Sequence, residues 1–216
     1  MLSSKPQKPR TGRPKAGTET ERIDYLLDQA LRMFIHDGFS KTSIAKISAE
    51  TGVSTKTIYE RYKNKAELLL ASIGRMVDTD VSELSAIANL PAMTLAEGLG
   101  AMGEMLLARV MHPDMVAFYR MGVAESMHLP EINERMGNAL PMRIQNVITD
   151  YLRQHAEQTA LSEQSINQAA ALFLEMLFAE PRNKALFGHL PTDWSAKAHV
   201  DFVVELFLNG FTGAKL

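Results

Sequence analysis

The fold is decided by residues 38–68, which read GFSKTSIAKISAETGVSTKTIYERYKNKAEL. Gly52 lies in the middle of this stretch, where a helix-turn-helix needs one residue with a left-handed backbone, a conformation that glycine adopts without strain. The second helix would begin with short polar side chains, which can reach base edges and phosphates in the major groove of DNA. Apolar residues on either side of the turn can lock the two helices together, and these are Ile44, Ile47, Val53 and Ile58.

Capping signals predict further helices on both sides of this motif. Thr18 and Glu21 have the spacing of a capping box, which predicts a first helix over residues 19–37 that ends at Gly38. Its apolar stripe recurs at intervals of three and four residues and consists of Ile23, Leu26, Leu27, Ala30, Leu31 and Phe34. The residues expected to cap the second, third and fourth helices are Thr42, Ser54 and Asn64.

The rest of the chain is also predicted to be helical. Proline residues interrupt it, and no segment shows the sustained alternation of apolar and polar residues that is typical of strands. The predicted helices are near residues 94–111, 114–127, 131–155, 162–179 and 195–211. The expected fold class is therefore all-α.

The composition excludes several kinds of chemistry. The chain has no cysteine, which excludes disulfides, thiolate catalysis and zinc–thiolate sites. It shows neither a signal-peptide pattern nor an apolar run of about 18 residues, so we expect no membrane span and a cytoplasmic location. No cofactor or metal site is expected either.

Charge is distributed unevenly along the chain. Residues 1–70 contain 13 Lys and Arg against 8 Asp and Glu, whereas residues 71–216 contain 10 against 17. Residues 1–17 include five basic residues and no acidic one, interleaved with proline and glycine, so we expect a disordered basic arm. A basic first third indicates contact with a polyanion, and an accidental split of solvated charges is the alternative.

The spacing within residues 38–68 resembles that of the TetR family of bacterial transcriptional regulators. The main departure is Ala45, because the family often has a basic DNA-contacting residue there, and Lys46 is the candidate replacement. The resemblance implies a three-helix DNA-binding domain at 18–65 and a larger effector-binding and dimerisation domain at 66–216, which a long helix joins. The matching residues are Gly38, Phe39, Thr42, Ser43, Ile44, Ile47, Gly52, Val53, Ser54, Ile58, Tyr59, Tyr62, Lys65 and Leu68.

The resemblance also implies which residues contact DNA. The starts of helices 2 and 4 correspond to phosphate contacts, and the outer face of the third, or recognition, helix corresponds to base and backbone contacts. In the arm, Arg13 belongs to a Gly-Arg-Pro segment similar to those that enter a narrow minor groove. Tyr59 could instead be a packing aromatic, the threonines could only cap helices, and the arm could be a solubilising tail. The candidates are Arg13, Thr42, Ser43, Lys46, Thr55, Lys56, Thr57, Tyr59, Lys63 and Lys65.

Methionine is concentrated in the region expected to sense an effector. Ten of the 13 methionines lie between Met76 and Met142, and this adaptable side chain suits bulky apolar ligands, although it can equally fill gaps in an ordinary core. The expected effector is an apolar or amphipathic small molecule. Candidate ligand-binding residues are Met102, Met105, Leu106, Phe118, Met121, Phe173 and Met176, with Arg109, Tyr119 and Glu125 as polar anchors.

The last two long helices are more apolar than a solvated surface helix would tolerate. Burial in the chain's own core explains part of this, and the resemblance implies that these helices also pair in a homodimer. Such a dimer would place two recognition helices about 34–36 Å apart on an operator. The apolar residues are Ala169, Ala170, Leu172, Phe173, Leu177, Phe178, Val200, Val203, Val204, Phe207, Leu208 and Phe211.

Two other function classes fit parts of the sequence. A carboxylate-bridged metal enzyme built in a helical bundle could use Glu125 and His128, which have Glu-x-x-His spacing, but no other histidine has glutamate three residues before it. A protein-interaction adaptor of the same fold would be favoured by loss of the polar residues on the recognition helix, which are present. The sequence therefore favours a DNA-binding repressor that a small molecule releases from its operator, and not an enzyme.

Overall fold

The computed structural model describes residues 18–91, 93–125, 140–159 and 161–213. Within these ranges the regular secondary structure is helical and no strand is present, which confirms the all-α prediction. No helix in the described ranges is both long and apolar enough to cross a membrane. The helices are α1 (Glu19–Asp37), α2 (Ile44–Thr51), α3 (Thr55–Arg61), α4 (Lys65–Ala88), α5 (Leu95–Met111), α6 (Pro113–Glu125), α7 (Leu140–Gln154), α8 (Ala156–Thr159), α9 (Glu163–Leu186) and α10 (Ala196–Gly213).

The helix starts around the turn motif follow their capping residues. Thr18 and Glu21 form the expected capping box at the start of α1, and Ser54 and Asn64 cap α3 and α4 through their side chains. The prediction that Thr42 caps α2 is wrong, because the cap is the next residue, Ser43. Capping residues thus determine where these helices begin.

A first core is formed by the helices α1, α2, α3 and α4. Gly52 adopts φ 70° at the end of α2, which is the left-handed turn that the motif requires. Phe118 of α6 also packs into this core, so the amino-terminal helices rest on the rest of the chain. The fully buried side chains here include Leu26, Phe34, Ile47, Ile58 and Leu68.

A second core is built mainly from α5, α7, α9 and α10. Helix α4 enters both cores, because its first half contributes Leu68 and Ile73 to the first core and its second half contributes Leu84 to the second. With 24 residues, α4 is about 36 Å long. It therefore connects the two cores mechanically. The fully buried side chains of the second core include Leu99, Met102, Leu107, Ile148 and Phe173.

Helix α9 is longer than predicted, and part of the helix predicted before it lies outside the described residues. The prediction that the helix after residue 162 ends at 179 is wrong, because α9 continues through Pro181 to Leu186. Pro181 is buried, and Arg120 of α6 donates hydrogen bonds to carbonyl oxygens at the end of the helix, those of Ala185 (3.1 Å) and Leu186 (2.7 Å), so tertiary contacts support the turns that follow the proline. Residues 131–139 of the helix predicted at 131–155 lie outside the described residues, as does the basic arm.

Candidate nucleic-acid interface and effector cavity

Helix α3 has one buried face and one exposed face. Val53 and Ile58 are 3% and 0% exposed and fix the helix to the first core. On the other side, Thr55 and Lys56 are exposed, and Tyr59 has 55% of its surface accessible. Because Tyr59 faces outward, the packing alternative for this residue loses its support. The structure thus brings three of the predicted recognition residues together on one accessible surface.

Thr57 differs from its neighbours on α3. It is half-buried, and its hydroxyl oxygen lies 2.8 Å from that of Ser54, whose Oγ also accepts a hydrogen bond from the Thr57 backbone nitrogen at 3.1 Å. The hydroxyl is therefore engaged in the helix cap, and contact with a base would require it to exchange or share that bond.

The two residues predicted to contact phosphate at the start of α2 differ from each other in exposure. Ser43 is exposed, whereas Thr42 is 1% exposed and donates hydrogen bonds to the carbonyl oxygens of Gly38 (2.9 Å) and Met33 (3.1 Å). In this arrangement the Thr42 side chain is not available to phosphate. Its hydroxyl instead ties the start of α2 to the end of α1.

Lys65 is also directed inward. Its ammonium group donates hydrogen bonds to the carbonyl oxygens of Phe39 (2.7 Å) and Thr42 (2.9 Å) and lies 4.3 Å from the centre of the Phe39 ring. These contacts hold the loop between α1 and α2 against the start of α4, which is a structural task beside the predicted phosphate contact.

Three other lysines predicted to contact DNA lie on the surface. Lys56 and Lys63 have side chains that are 85% and 88% exposed, and their ion pairs with glutamates on the following turn are long, at 3.8 and 3.9 Å. Lys46 pairs with Asp37 at 2.6 Å. Exposed pairs contribute at most about 1 kcal/mol, so these ammonium groups can rearrange toward phosphates. Arg13 lies outside the described residues.

A cavity of about 410 Å³ lies between α4, α5, α6, α7 and α9. Its walls are mostly apolar and include Ile73, Met76, Val77, Leu106, Phe118, Ile144, Leu174 and Phe178. Its polar members are Asp80, Arg109, Tyr119, Gln145, Glu175 and Arg182. Two larger depressions, between α1 and α4 and between α5 and α10, are open grooves with several charged residues on their rims. The cavity is more enclosed than either groove, so it is the better ligand site, because it can remove more of an apolar molecule from water.

The cavity includes only part of the predicted ligand-binding set. Leu106, Arg109, Phe118 and Tyr119 line it. The remaining apolar candidates pack into the cores instead of lining the cavity: Met102 and Phe173 are fully buried in the second core, Met105 and Met176 pack against it, and Met121 packs against the first. The side chain of Glu125 and all of His128 lie outside the described atoms. Among the described residues there is no cluster of three potential metal ligands.

Asp80 is a cavity residue that sequence reasoning missed. It lies on α4 in register with the buried residues Ile73, Val77 and Leu84, and it is only 6% exposed. A carboxylate inside a stripe of apolar residues at helical spacing was the signal that could have identified it. Burial raises the pKa of this carboxyl group, and the neighbouring Arg109 guanidinium offsets the rise only in part.

Family models match most of this architecture. Residues 26–72 match the model described as bacterial regulatory proteins of the tetR family. Residues 97–212 match the model of the AefR-like transcriptional repressor, C-terminal domain. The first match covers the turn motif, and the second covers more than half of the chain, including most of the cavity.

Individual proteins show similarity over different lengths. The HTH-type transcriptional regulator AcrR of Shigella flexneri is 34% identical over 64 residues, which are 30% of this chain and 29% of that regulator. The chain therefore matches less than a third of this curated relative.

Two solved structures are similar over nearly the whole chain. A structure assigned to the TetR family of transcriptional regulators, from Mesorhizobium loti MAFF303099, has a TM-score of 0.76 at 22% identity and covers 90% of this chain and 98% of its own. The regulator FadR of Bacillus subtilis in complex with stearoyl-CoA has a TM-score of 0.62 at 16% identity, with coverage of 89% and 99%. At these identities the likeness shows a shared fold.

Proposed function

Because the chain belongs to the TetR family of transcriptional regulators, we propose that it binds a DNA operator as a homodimer in the cytoplasm and represses transcription until a small-molecule effector releases it. One observation carries the DNA-binding part. The outer face of α3 presents Thr55, Lys56 and Tyr59 to solvent, while Ile58 and the turn at Gly52 fix the helix to the first core. A rigid helix with exposed polar residues at its start is what insertion into a major groove requires.

The cavity supports the effector part of the proposal. Helix α4 contributes Ile73, Met76 and Val77 to the cavity wall and Leu68 to the core that holds α3. A ligand that favours one position of α4 would therefore change the position of the recognition helix, and by linkage DNA would weaken that ligand in return. The mostly apolar wall favours an apolar or amphipathic effector, and stearoyl-CoA, bound by the B. subtilis FadR, is an amphipathic molecule.

The DNA-binding part can be tested on the full chain. A specific binder should enrich a partly palindromic sequence from random double-stranded DNA, and fluorescence anisotropy then gives its affinity. We expect Tyr59→Ala to weaken this binding by about 1–3 kcal/mol, which is roughly 5- to 150-fold, because the exposed ring is lost from the groove.

Phe187→Ala is the matched control, because Phe187 is also an exposed aromatic residue, at 76%, but lies at the end of α9. It should leave the affinity unchanged, and both variants should melt at the temperature of the unaltered protein. Failure to enrich any sequence, or equal affinity for Tyr59→Ala, would contradict the proposed role.

A further inference from the structure

We propose that the cavity selects an effector with a cationic head group on an apolar body, and that the Asp80 carboxylate binds that head group. This inference rests on the proposed effector function, but it names a chemical class that the mostly apolar wall alone leaves undetermined. Its basis is the position of one buried charge and the incomplete compensation of that charge by its neighbours.

The Asp80 carboxylate has an incomplete set of partners. Its side chain is 9% exposed, and its one partner among the described residues is Arg109 of α5, whose Nε lies 2.8 Å from Oδ1. Oδ1 is buried, and beyond this ion pair it has no hydrogen-bond partner among the described residues. Arg109 also pairs with Glu83 at 3.3 Å, and its side chain is 40% exposed. One half-exposed cation is thus shared between two carboxylates.

A buried carboxylate of this kind destabilises its surroundings unless more positive charge approaches. Removing a carboxylate from water is costly, and the cost is recovered only through close cations and hydrogen bonds. The raised pKa of Asp80 indicates that Arg109 does not recover it completely. A cationic head group in the cavity would supply further positive charge beside this buried oxygen.

An anionic head group would be less favourable in this cavity than a cationic one. It would compete with Asp80 for Arg109 and would approach Glu175 on the α9 side of the cavity. Its alternative anchor is Arg182, which lies 4.0 Å from Glu175 and 5.7 Å from the centre of the Tyr119 ring. An anion would therefore have to displace existing ion pairs. A cation would instead add positive charge beside Asp80, whose negative charge Arg109 balances only in part.

The rest of the cavity suits the other parts of such a ligand. Aromatic rings of Phe118, Tyr119 and Phe178 line the space, and cations are attracted to ring faces. Ile73, Val77 and other aliphatic residues can cover an apolar chain. The volume of about 410 Å³ lies within the roughly 300–1,000 Å³ that is usual for small-molecule sites.

Three probes with the same decyl chain separate the contribution of charge from that of apolar surface: decyltrimethylammonium, decanoate and 1-decanol. Isothermal titration below the micellar concentration, with the full chain and no DNA, should show one decyltrimethylammonium bound per chain, about tenfold more tightly than decanoate. Asp80→Asn should remove this preference while leaving 1-decanol binding unchanged. Asp78→Asn is the matched control, because this aspartate on the same helix is 61% exposed and pairs with Arg143 outside the cavity.

Each other outcome has a definite meaning. Tighter binding of decanoate, weakened by Arg182→Gln, would overturn the proposal and show an anion-selective cavity. Equal binding of all three probes would show that Asp80 does not select charge, and this comparison on the unaltered protein holds even if Asp80→Asn does not fold. Failure of all three to bind would overturn the proposal as well. The titrations contain no DNA, so the operator affinity from the anisotropy assay is an independent measurement. Unchanged operator affinity would show that the proposed DNA-binding function holds although none of the probes binds.

Discussion

Lys63 and Lys65 are two residues apart in the sequence, but their ammonium groups have different surroundings. Lys63 is 88% exposed, whereas Lys65 donates hydrogen bonds to the carbonyl oxygens of Phe39 and Thr42. We expect Lys65→Gln to lower the free energy of unfolding by about 1–3 kcal/mol, because charge-assisted hydrogen bonds to a part-buried loop are lost. Lys63→Gln, the matched control, should retain full stability and weaken only DNA binding. Urea unfolding followed by circular dichroism measures both. If Lys65→Gln unfolds normally and loses only DNA affinity, the phosphate contact predicted from the sequence explains this residue better.

The same residue scale shows which interactions a sequence can reveal. Gly52 and Ile58 were predictable because the turn and its packing depend on neighbours a few residues away. The buried position of Thr42 was not predictable, because one of its acceptors is the carbonyl oxygen of Met33 on α1. The apolar stripe on α4 indicates that Asp80 is buried, but its partner could not be predicted, since Arg109 lies on the next helix and comes close only in the folded chain.

At the scale of elements, α5 contains glycines with contrasting surroundings. A Cβ on Gly98 would lie 1.9 Å from the hydroxyl oxygen of buried Tyr151, which donates a hydrogen bond to the Thr94 carbonyl at 3.2 Å. A Cβ on Gly100 would have no neighbour within 4 Å. Gly98→Ala should therefore lower the melting temperature although alanine favours helices, because Tyr151 must move and lose its bond. Gly100→Ala should raise stability by up to about 1 kcal/mol.

Thermal unfolding of the two alanine variants side by side tests this contrast, since both make the same chemical change in one helix. Equal stabilisation by both would show that α5 and α7 can separate without cost, contrary to the close approach at Gly98.

Helix starts such as those of α1 and α3 were predictable because a cap is a local signal. The end of α9 was not, because the hydrogen bonds from Arg120 that support it cross from α6.

At the scale of the whole molecule, the described chain leaves apolar side chains uncovered on its last two long helices. Most of the apolar residues predicted to pair two copies are instead buried in the chain's own second core, including Val203 and Phe207. Leu172 on α9 is the large apolar residue of that set that stays exposed among the described side chains, at 61%. The sequence analysis did not include Phe202 and Leu206, which are the exposed apolar residues of α10, at 62% and 51%. Phe202 and Leu206 are one turn apart, so they share a face. We infer that this face pairs with a second copy.

Leu206→Glu tests this pairing. In a two-fold symmetric interface the substitution places two carboxylates in contact regions that would otherwise be apolar, so we expect sedimentation equilibrium to show monomers. Operator affinity should fall steeply, because two linked recognition helices no longer bind adjacent grooves together. The monomer should retain its helical circular dichroism, since Leu206 is half exposed and lies outside the chain's own core. Phe187→Glu is the control, because Phe187 is exposed at the end of α9 and should leave the dimer intact. A Leu206→Glu protein that stays dimeric and binds DNA normally would contradict pairing through this face of α10.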